Sequence, residues 1–333
     1  MNKINMRDNF KKIQSYVLPW QQKVENFLST ARKQFSQNQS VIGIDVGAKS
    51  VKVAQMAKTD GAMALVKSAL VEIGGLPGNQ EEVLASLKTA LIGFETKGAK
   101  VIAITNCPQT CTRKIVTPQM PKKELAQAIR WEAKNAIPFS IDEALMGFDI
   151  LGEITEKGVK KCVVAVAASP QKTVDQYLSL FAKAGIEISA LIPISLSLQN
   201  LIAFSKENLG SNIAIVEMGA VITELNIYQK GQLAFSRKLP IAGDDITKAM
   251  TSTLMSSQGK VELSMEEAEK IKIDQGIPSG DGAGEINGKI LPSQILALVR
   301  PCVEQLASEI ERSFDFFREE SHGEQVRKII LFG

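Results

Sequence analysis

Two short stretches of this 333-residue chain combine an acid, a glycine and small residues at a spacing that could grip a phosphate. The first is Ile44-Asp45-Val46-Gly47-Ala48-Lys49-Ser50-Val51-Lys52, and the second is Val216-Glu217-Met218-Gly219-Ala220-Val221-Ile222-Thr223. Each sets an acid at a strand end with glycine two residues later. Glycine lets the backbone approach a phosphate closely and aim N–H donors at it. A lysine such as Lys52, or Lys49 in the turn, adds a charge-assisted contact, and an acid can hold Mg²⁺ through water. Asp45 and Glu217 are the candidate metal-side acids. Thr223 offers a hydroxyl six residues beyond Glu217, as Lys52 offers an ammonium seven beyond Asp45. One such turn is a weak signal, because D-x-G is common in plain β-turns. Two of them, at the heads of two similar lobes, point to a nucleotide phosphate tail clamped between lobes.

The elements that must hold these turns follow from periodicity. Val41–Val46, Ser50–Met56 and Ala62–Ile73 read as three strands, followed by a helix over Glu81–Phe94. Lys100–Thr105, Thr112–Thr117 and Lys161–Ala168 read as further strands. Helices are expected over Pro121–Ile137, where Leu125, Ile129 and Ala133 share one side, and over Pro170–Ala184, stopped by Gly185. Ile186–Leu191 and a helix near Ser195–Glu207 make a crossover. Then the opening pattern returns as the strands Asn212–Met218, Ile222–Gln229 and Gln232–Leu239. A helix after Gly243, one over Met265–Ile273, a long one over Ser293–Glu320 and a strand over Lys328–Phe332 close the chain. The stretch from Gly276 to Gly288 reads as a flexible loop.

Composition removes several function classes. Lys and Arg number 39 against 36 Asp and Glu, so no broad basic field holds the protein on nucleic acid. With His322 as the one histidine, a His-rich zinc site is excluded. Four cysteines in so long a chain do not make a disulfide scaffold, which indicates a reducing compartment. No apolar run approaches the roughly 18–20 residues of a membrane span.

Residues 1–40 differ from the rest. Lys3, Arg7, Lys11, Lys12, Lys23, Arg32 and Lys33 face only Asp8 and Glu25. Phe10, Ile13, Val17, Trp20, Val24, Phe27, Ala31 and Phe35 fall on one helical stripe, which Pro19 bends or splits. A basic amphipathic arm of this kind suits a membrane surface or a partner helix, and it equally suits packing on the protein's own body.

At the two glycine turns the chain resembles the actin-like ATPase superfamily. Three further stretches agree. Leu239-Pro240-Ile241-Ala242-Gly243-Asp244-Asp245 is similar to the family's glycine turn opening the first helix of lobe two. Glu269 and Lys272 match its E-x-x-K pair near the adenosine, and Ile329–Gly333 looks like the start of its adenosine motif. Within the superfamily the chain resembles the PilM family of type IV pilus assembly. That likeness rests on Thr117–Leu125 leading into Arg130–Phe139, which is similar to an inserted subdomain that the division protein FtsA also carries.

The resemblance implies an α/β fold: a bilobed actin-like ATPase with two RNase H-like lobes and an inserted α+β subdomain in lobe one. The implied division is an arm over 1–40, lobe one over 41–192 with its insertion at about 106–168, and lobe two over 193–333, shortened at its C-terminal end. It implies ATP and Mg as cofactors, held by Asp45, Gly47, Ala48, Lys49, Ser50, Lys52, Glu217, Gly219, Ala220, Val221, Thr223, Gly243, Asp244, Glu269, Lys272 and Gly333. It also implies a cytoplasmic scaffold that docks the N-terminal peptide of a PilN-like inner-membrane protein, with other pilus platform proteins as further partners. Glu217 departs from the family's usual aspartate by one methylene. Ile192 and Pro193 stand where the family orients an attacking water, and neither can do so, which implies weak or absent hydrolysis. Two alternatives are a small-molecule kinase of the superfamily and a nucleotide-free type II secretion scaffold. A kinase needs a base beside its acceptor, whereas Asp142 and Glu143 lie in the insertion; the retained turn residues weigh against the second.

Overall fold

A computed structural model of the chain describes residues 40–333 except 60–61, 74–78, 106, 206–209, 257–258, 279–284 and 287–289. The basic arm lies outside the described residues, as does most of the glycine-rich loop. The chain divides into two compact units, the first ending at Leu198 and the second running Gln199–Gly333.

The first unit is built on a five-stranded sheet in the order β3-β2-β1-β4-β8. Its strands are β1 (Val41–Val46), β2 (Ser50–Thr59), β3 (Ala62–Glu72), β4 (Lys100–Thr105) and β8 (Ala190–Pro193). β1 pairs antiparallel with β2 and parallel with β4, and β4 pairs parallel with β8. Burial alternates along β1, so Ile42, Ile44 and Val46 enter one core while Asp45 turns to the other face. That core is closed by Leu87 and Ala90 of α1 (Gln80–Ala90) and Phe181 of α3 (Gln171–Lys183). Asn79 caps α1 by accepting from the Glu81 N–H at 3.1 Å.

Between β4 and α3 the chain builds a separate small layer. A three-stranded sheet in the order β5-β7-β6 (Cys111–Pro118, Val159–Pro170 and Ala144–Glu156) packs on α2 (Lys122–Ala136). Leu125, Ile129 and Ala133 of α2 meet Val164, Val166 and Ala168 of β7, as the periodicity of α2 predicts. β6 is not legible in the sequence. Gly147 and Gly152 interrupt its apolar pattern, and a bulge between Ile150 and Gly152 breaks the alternation. Buried hydroxyls mark the places where the chain leaves and re-enters the larger sheet: Thr110 Oγ1 lies 3.0 Å from Ser169 Oγ, and Thr112 Oγ1 lies 2.8 Å from Ser195 Oγ. Ser195 belongs to α4 (Ile194–Ser205), within which the division between units falls.

The second unit repeats the opening of the first. Its sheet runs β11-β10-β9-β14, with β9 (Asn212–Met218), β10 (Thr223–Gln229), β11 (Gln232–Leu239) and β14 (Val326–Phe332). β9 again pairs antiparallel with its successor and parallel with a later strand. α7 (Pro292–Glu320) lies along this unit, with proline in its first turn, where the missing N–H costs nothing. Its Phe317 covers Ala214, Val216, Leu225 and Ile227 of the sheet. Towards its start, Ile295 and Val299 pack with α5 (Gly243–Met250) and α6 (Met265–Gln275) around Ile246, Met250 and Ile271. α6 begins with a reciprocal cap, in which the Ser264 N–H donates to Glu267 Oε2 at 2.9 Å and the Glu267 N–H donates to Ser264 Oγ at 3.1 Å. A short hairpin, β12 (Leu254–Ser256) with β13 (Gly259–Val261), was not expected from the sequence.

Candidate functional site

Each glycine turn is a two-residue hairpin loop closed in the same way. The Gly47 N–H donates to the Ser50 carbonyl at 2.9 Å, and the Gly219 N–H donates to the Ile222 carbonyl at 3.0 Å. Ala48 and Lys49 form one tip, Ala220 and Val221 the other. A Cβ on Gly47 would stand 3.1 Å from the Ser50 carbonyl oxygen, and one on Gly219 would stand 3.0 Å from that of Ile222. Both positions are therefore tight for a Cβ, which favours glycine there.

In the first hairpin Asp45 sits directly opposite Lys52 across β1 and β2, and the two charges are 3.6 Å apart. The other carboxylate oxygen, Asp45 Oδ1, is buried without a hydrogen-bond partner. Burial pushes the Asp45 carboxyl above its ordinary value of 3.8, and Lys52 only partly opposes this. An acid held in this way, with one oxygen unsatisfied, is suited to receive a donor such as a metal-bound water.

The second hairpin differs in register from the sequence reading. Glu217 faces Glu224 across β9 and β10, whereas Thr223 faces Met218. The counterpart of Lys52 is thus Glu224, one residue beyond Thr223, and a one-residue offset moves a side chain to the other face of the sheet. The Thr223 hydroxyl donates to the Ile241 carbonyl at 2.6 Å and is fully buried. It anchors the β11–α5 turn, so the sequence pairing of Thr223 with Lys52 is corrected. Glu224 itself was missed. It is buried beside Lys238 at 3.5 Å, accepts from Asn226 Nδ2 at 3.1 Å, and burial raises its carboxyl above the ordinary value against the pull of Lys238. Its signal in the sequence was the E-x-N alternation of a strand with one polar face.

Four stretches of the second unit converge on the Gly219 turn. The Gly243 N–H donates to the Gly219 carbonyl at 3.0 Å, and the Asp244 N–H donates to that of Ala220 at 2.8 Å. The first N–H groups of α5 thus hold the hairpin. Lys272 Nζ donates to the Gly243 carbonyl at 3.0 Å and to Thr247 Oγ1 at 2.8 Å, and pairs with Glu269 at 2.7 Å. A Cβ on Gly243 would meet the Gly219 oxygen at 3.3 Å and Lys272 Nζ at 3.4 Å. Gly333 reaches the same place from β14, where a Cβ would run into the Met218 carbonyl. The E-x-x-K pair is therefore a brace on the glycine turn rather than a solvated helix face.

Ile192 and Pro193 lie on β8 beside Ile104 and Thr105. Asp142 pairs with Arg130 at 3.4 Å on an exposed face of the insertion. Among the described residues no three His, Cys, Asp or Glu side chains gather as a metal cluster. Taken each by itself, the two glycine cradles fit phosphate oxygens, and the orphaned Asp45 oxygen fits the water of a hydrated Mg²⁺.

A sheet of this order, repeated in a second unit and headed each time by an acid-x-Gly hairpin, defines a protein of the actin-like ATPase fold. The chain belongs to the type IV pilus assembly protein PilM family, whose profile matches residues 43–333. It is 24% identical over 274 residues to the cell division protein FtsA of Bacillus subtilis (strain 168), which covers 74% of this chain. The match spans 60% of the length of that relative. Among solved structures it is similar to the PilM-PilN type IV pilus biogenesis complex, with a TM-score of 0.70 and 24% identity over 88% of this chain and 81% of that one.

Proposed function

We propose that this protein is an ATP-binding scaffold of a type IV pilus or related machine, cytoplasmic and held at the inner membrane by its partner. The observation that carries the nucleotide reading is the repeated hairpin, with its two tight glycines and the unsatisfied Asp45 oxygen. In this reading each tip would present backbone to phosphate: Ala48, Lys49 and Ser50 in the first unit, where Lys52 adds charge, and Ala220 and Val221 in the second. Asp45 in the first unit, and Glu217 in the second, would each offer a carboxylate to a hydrated Mg²⁺, which would screen the phosphate charge when bound. Gly243, Asp244, Glu269, Lys272 and Gly333 shape the adenosine side. Because Ile192 and Pro193 offer no group to orient a water, binding rather than turnover is the expected role.

The docking reading is supported by family membership and by likeness to a PilM-PilN complex. The occupant would be the N-terminal peptide of a PilN-like inner-membrane protein, taken near the inserted layer of α2 and β5–β7. Calorimetry on the full chain tests both halves. ATP with Mg²⁺ should bind, and a peptide copying the cytoplasmic N-terminus of the membrane partner should bind while a scrambled peptide does not. Absence of peptide binding overturns the docking role.

The arm is proposed to add a second hold on the membrane. Each basic residue near an anionic surface contributes roughly 1 kcal/mol. Deleting residues 1–40 is expected to leave ATP binding unchanged and to reduce flotation with anionic liposomes, more strongly at low salt. A large drop in melting temperature without any liposome binding would make the arm a structural element instead.

A further inference from the structure

We infer that Glu224 and Lys238 are positioning residues that set the charge at Glu217, an inference that rests on reading Glu217 as a magnesium-side acid. The three residues form one row across three strands. Glu217 faces Glu224 across β9 and β10, and Glu224 faces Lys238 across β10 and β11. All point to the face opposite Val216, Leu225 and Ile227, which pack under α7. Glu217 is 4% exposed and Glu224 2%, while the Lys238 side chain is 14% exposed.

The two hairpins solve one electrostatic problem differently. In the first unit, Asp45 has a lysine directly opposite. In the second, Glu217 has another acid opposite, and the lysine stands one strand further out. Facing residues of an antiparallel pair have Cβ atoms about 4.5–5.5 Å apart, where like charges repel. Lys238, 3.5 Å from Glu224 Oε2, cancels that second charge. Asn226 holds Oε1 of the same carboxylate, so both oxygens of Glu224 are engaged and it does not itself reach for a metal. Counted by themselves, the three side chains of the row carry one net negative charge, which a cation at Glu217 would complement.

The consequence is a charge rule that substitutions can break and restore. Glu224→Gln removes one negative charge and leaves the Lys238 ammonium about 10 Å from Glu217, two strand spacings away. The row becomes neutral, and the gain in ATP affinity on adding Mg²⁺ should fall about tenfold. The double variant Glu224→Gln with Lys238→Met removes both charges, restores the net negative charge, and should recover the wild-type gain.

The experiment is calorimetry of ATP binding by the full chain, with and without Mg²⁺, for wild type, E224Q and the double variant, with melting temperatures alongside. A purely structural role for the row lowers ATP affinity equally in both buffers and is not rescued by the second substitution; that result overturns the inference. An unchanged Mg²⁺ gain in E224Q overturns it as well, while leaving the nucleotide reading intact. If E224Q does not fold, the double variant decides, because a lost Mg²⁺ gain there contradicts the charge rule. A wild-type chain that binds no ATP in either buffer removes the nucleotide reading and this inference with it.

Discussion

Asp45→Ala is expected to weaken binding of ATP with Mg²⁺ by about 10- to 100-fold. The variant removes the buried carboxylate oxygen that lacks a partner and, with it, the charged acceptor proposed for a metal-bound water. A hydrogen bond to a charged group contributes about 1.5–3 kcal/mol, which sets that range. The same substitution should not destabilise the empty protein, because burial already works against this carboxylate. The pH dependence has a definite sign. A folded-state acid with a raised pKa binds protons more readily than its unfolded counterpart, so stability falls as pH rises from the ordinary value of 3.8 through the raised one. Asp45→Asn lacks this loss. Its stability advantage should be absent below pH 3.8 and fully present above the raised value, as denaturant melts across pH would read. Unchanged affinity for ATP in Asp45→Ala would take this residue out of the site.

Ile129→Ala should destabilise the inserted layer by about 2–5 kcal/mol, as expected for emptying a fully buried aliphatic position. Ile129 is 0% exposed and lies among Leu125, Ala133, Val164 and Val166. That core is separate from the one under the five-stranded sheet, which gathers around Ile42, Ile44, Leu87 and Phe181. The damage should therefore stay in the insertion. Hydrogen exchange is expected to show α2 and β5–β7 opening first, with docking of the partner peptide lost and ATP binding retained. Loss of ATP binding in step with peptide binding would mean that the two cores melt as one unit.

Short-range physics is what the order of residues alone makes legible. Each glycine turn closes between residues three apart, so the acid, the glycine and the small tip residues that make it are neighbours in the chain. The periodicity of α2 and the glycine stop after α3 are likewise local, and so are the strands that repeat at the head of each unit. Packing across long separations was decided elsewhere. A strand's pattern names two faces but not which residue of the next strand lies opposite. Hence Glu224, not Thr223, emerged as the counterpart of Lys52 only from the β9–β10 register. The bracing of Gly243 by Lys272 and the approach of Gly333 to Met218 join residues far apart in the chain, where no periodicity links them. β6 escaped notice for a related reason: its glycines and its bulge erase the alternation, and it is a strand because β7 offers it a ladder of hydrogen bonds. The row Glu217–Glu224–Lys238 belongs to the same class, since its charge balance exists only once three strands lie side by side.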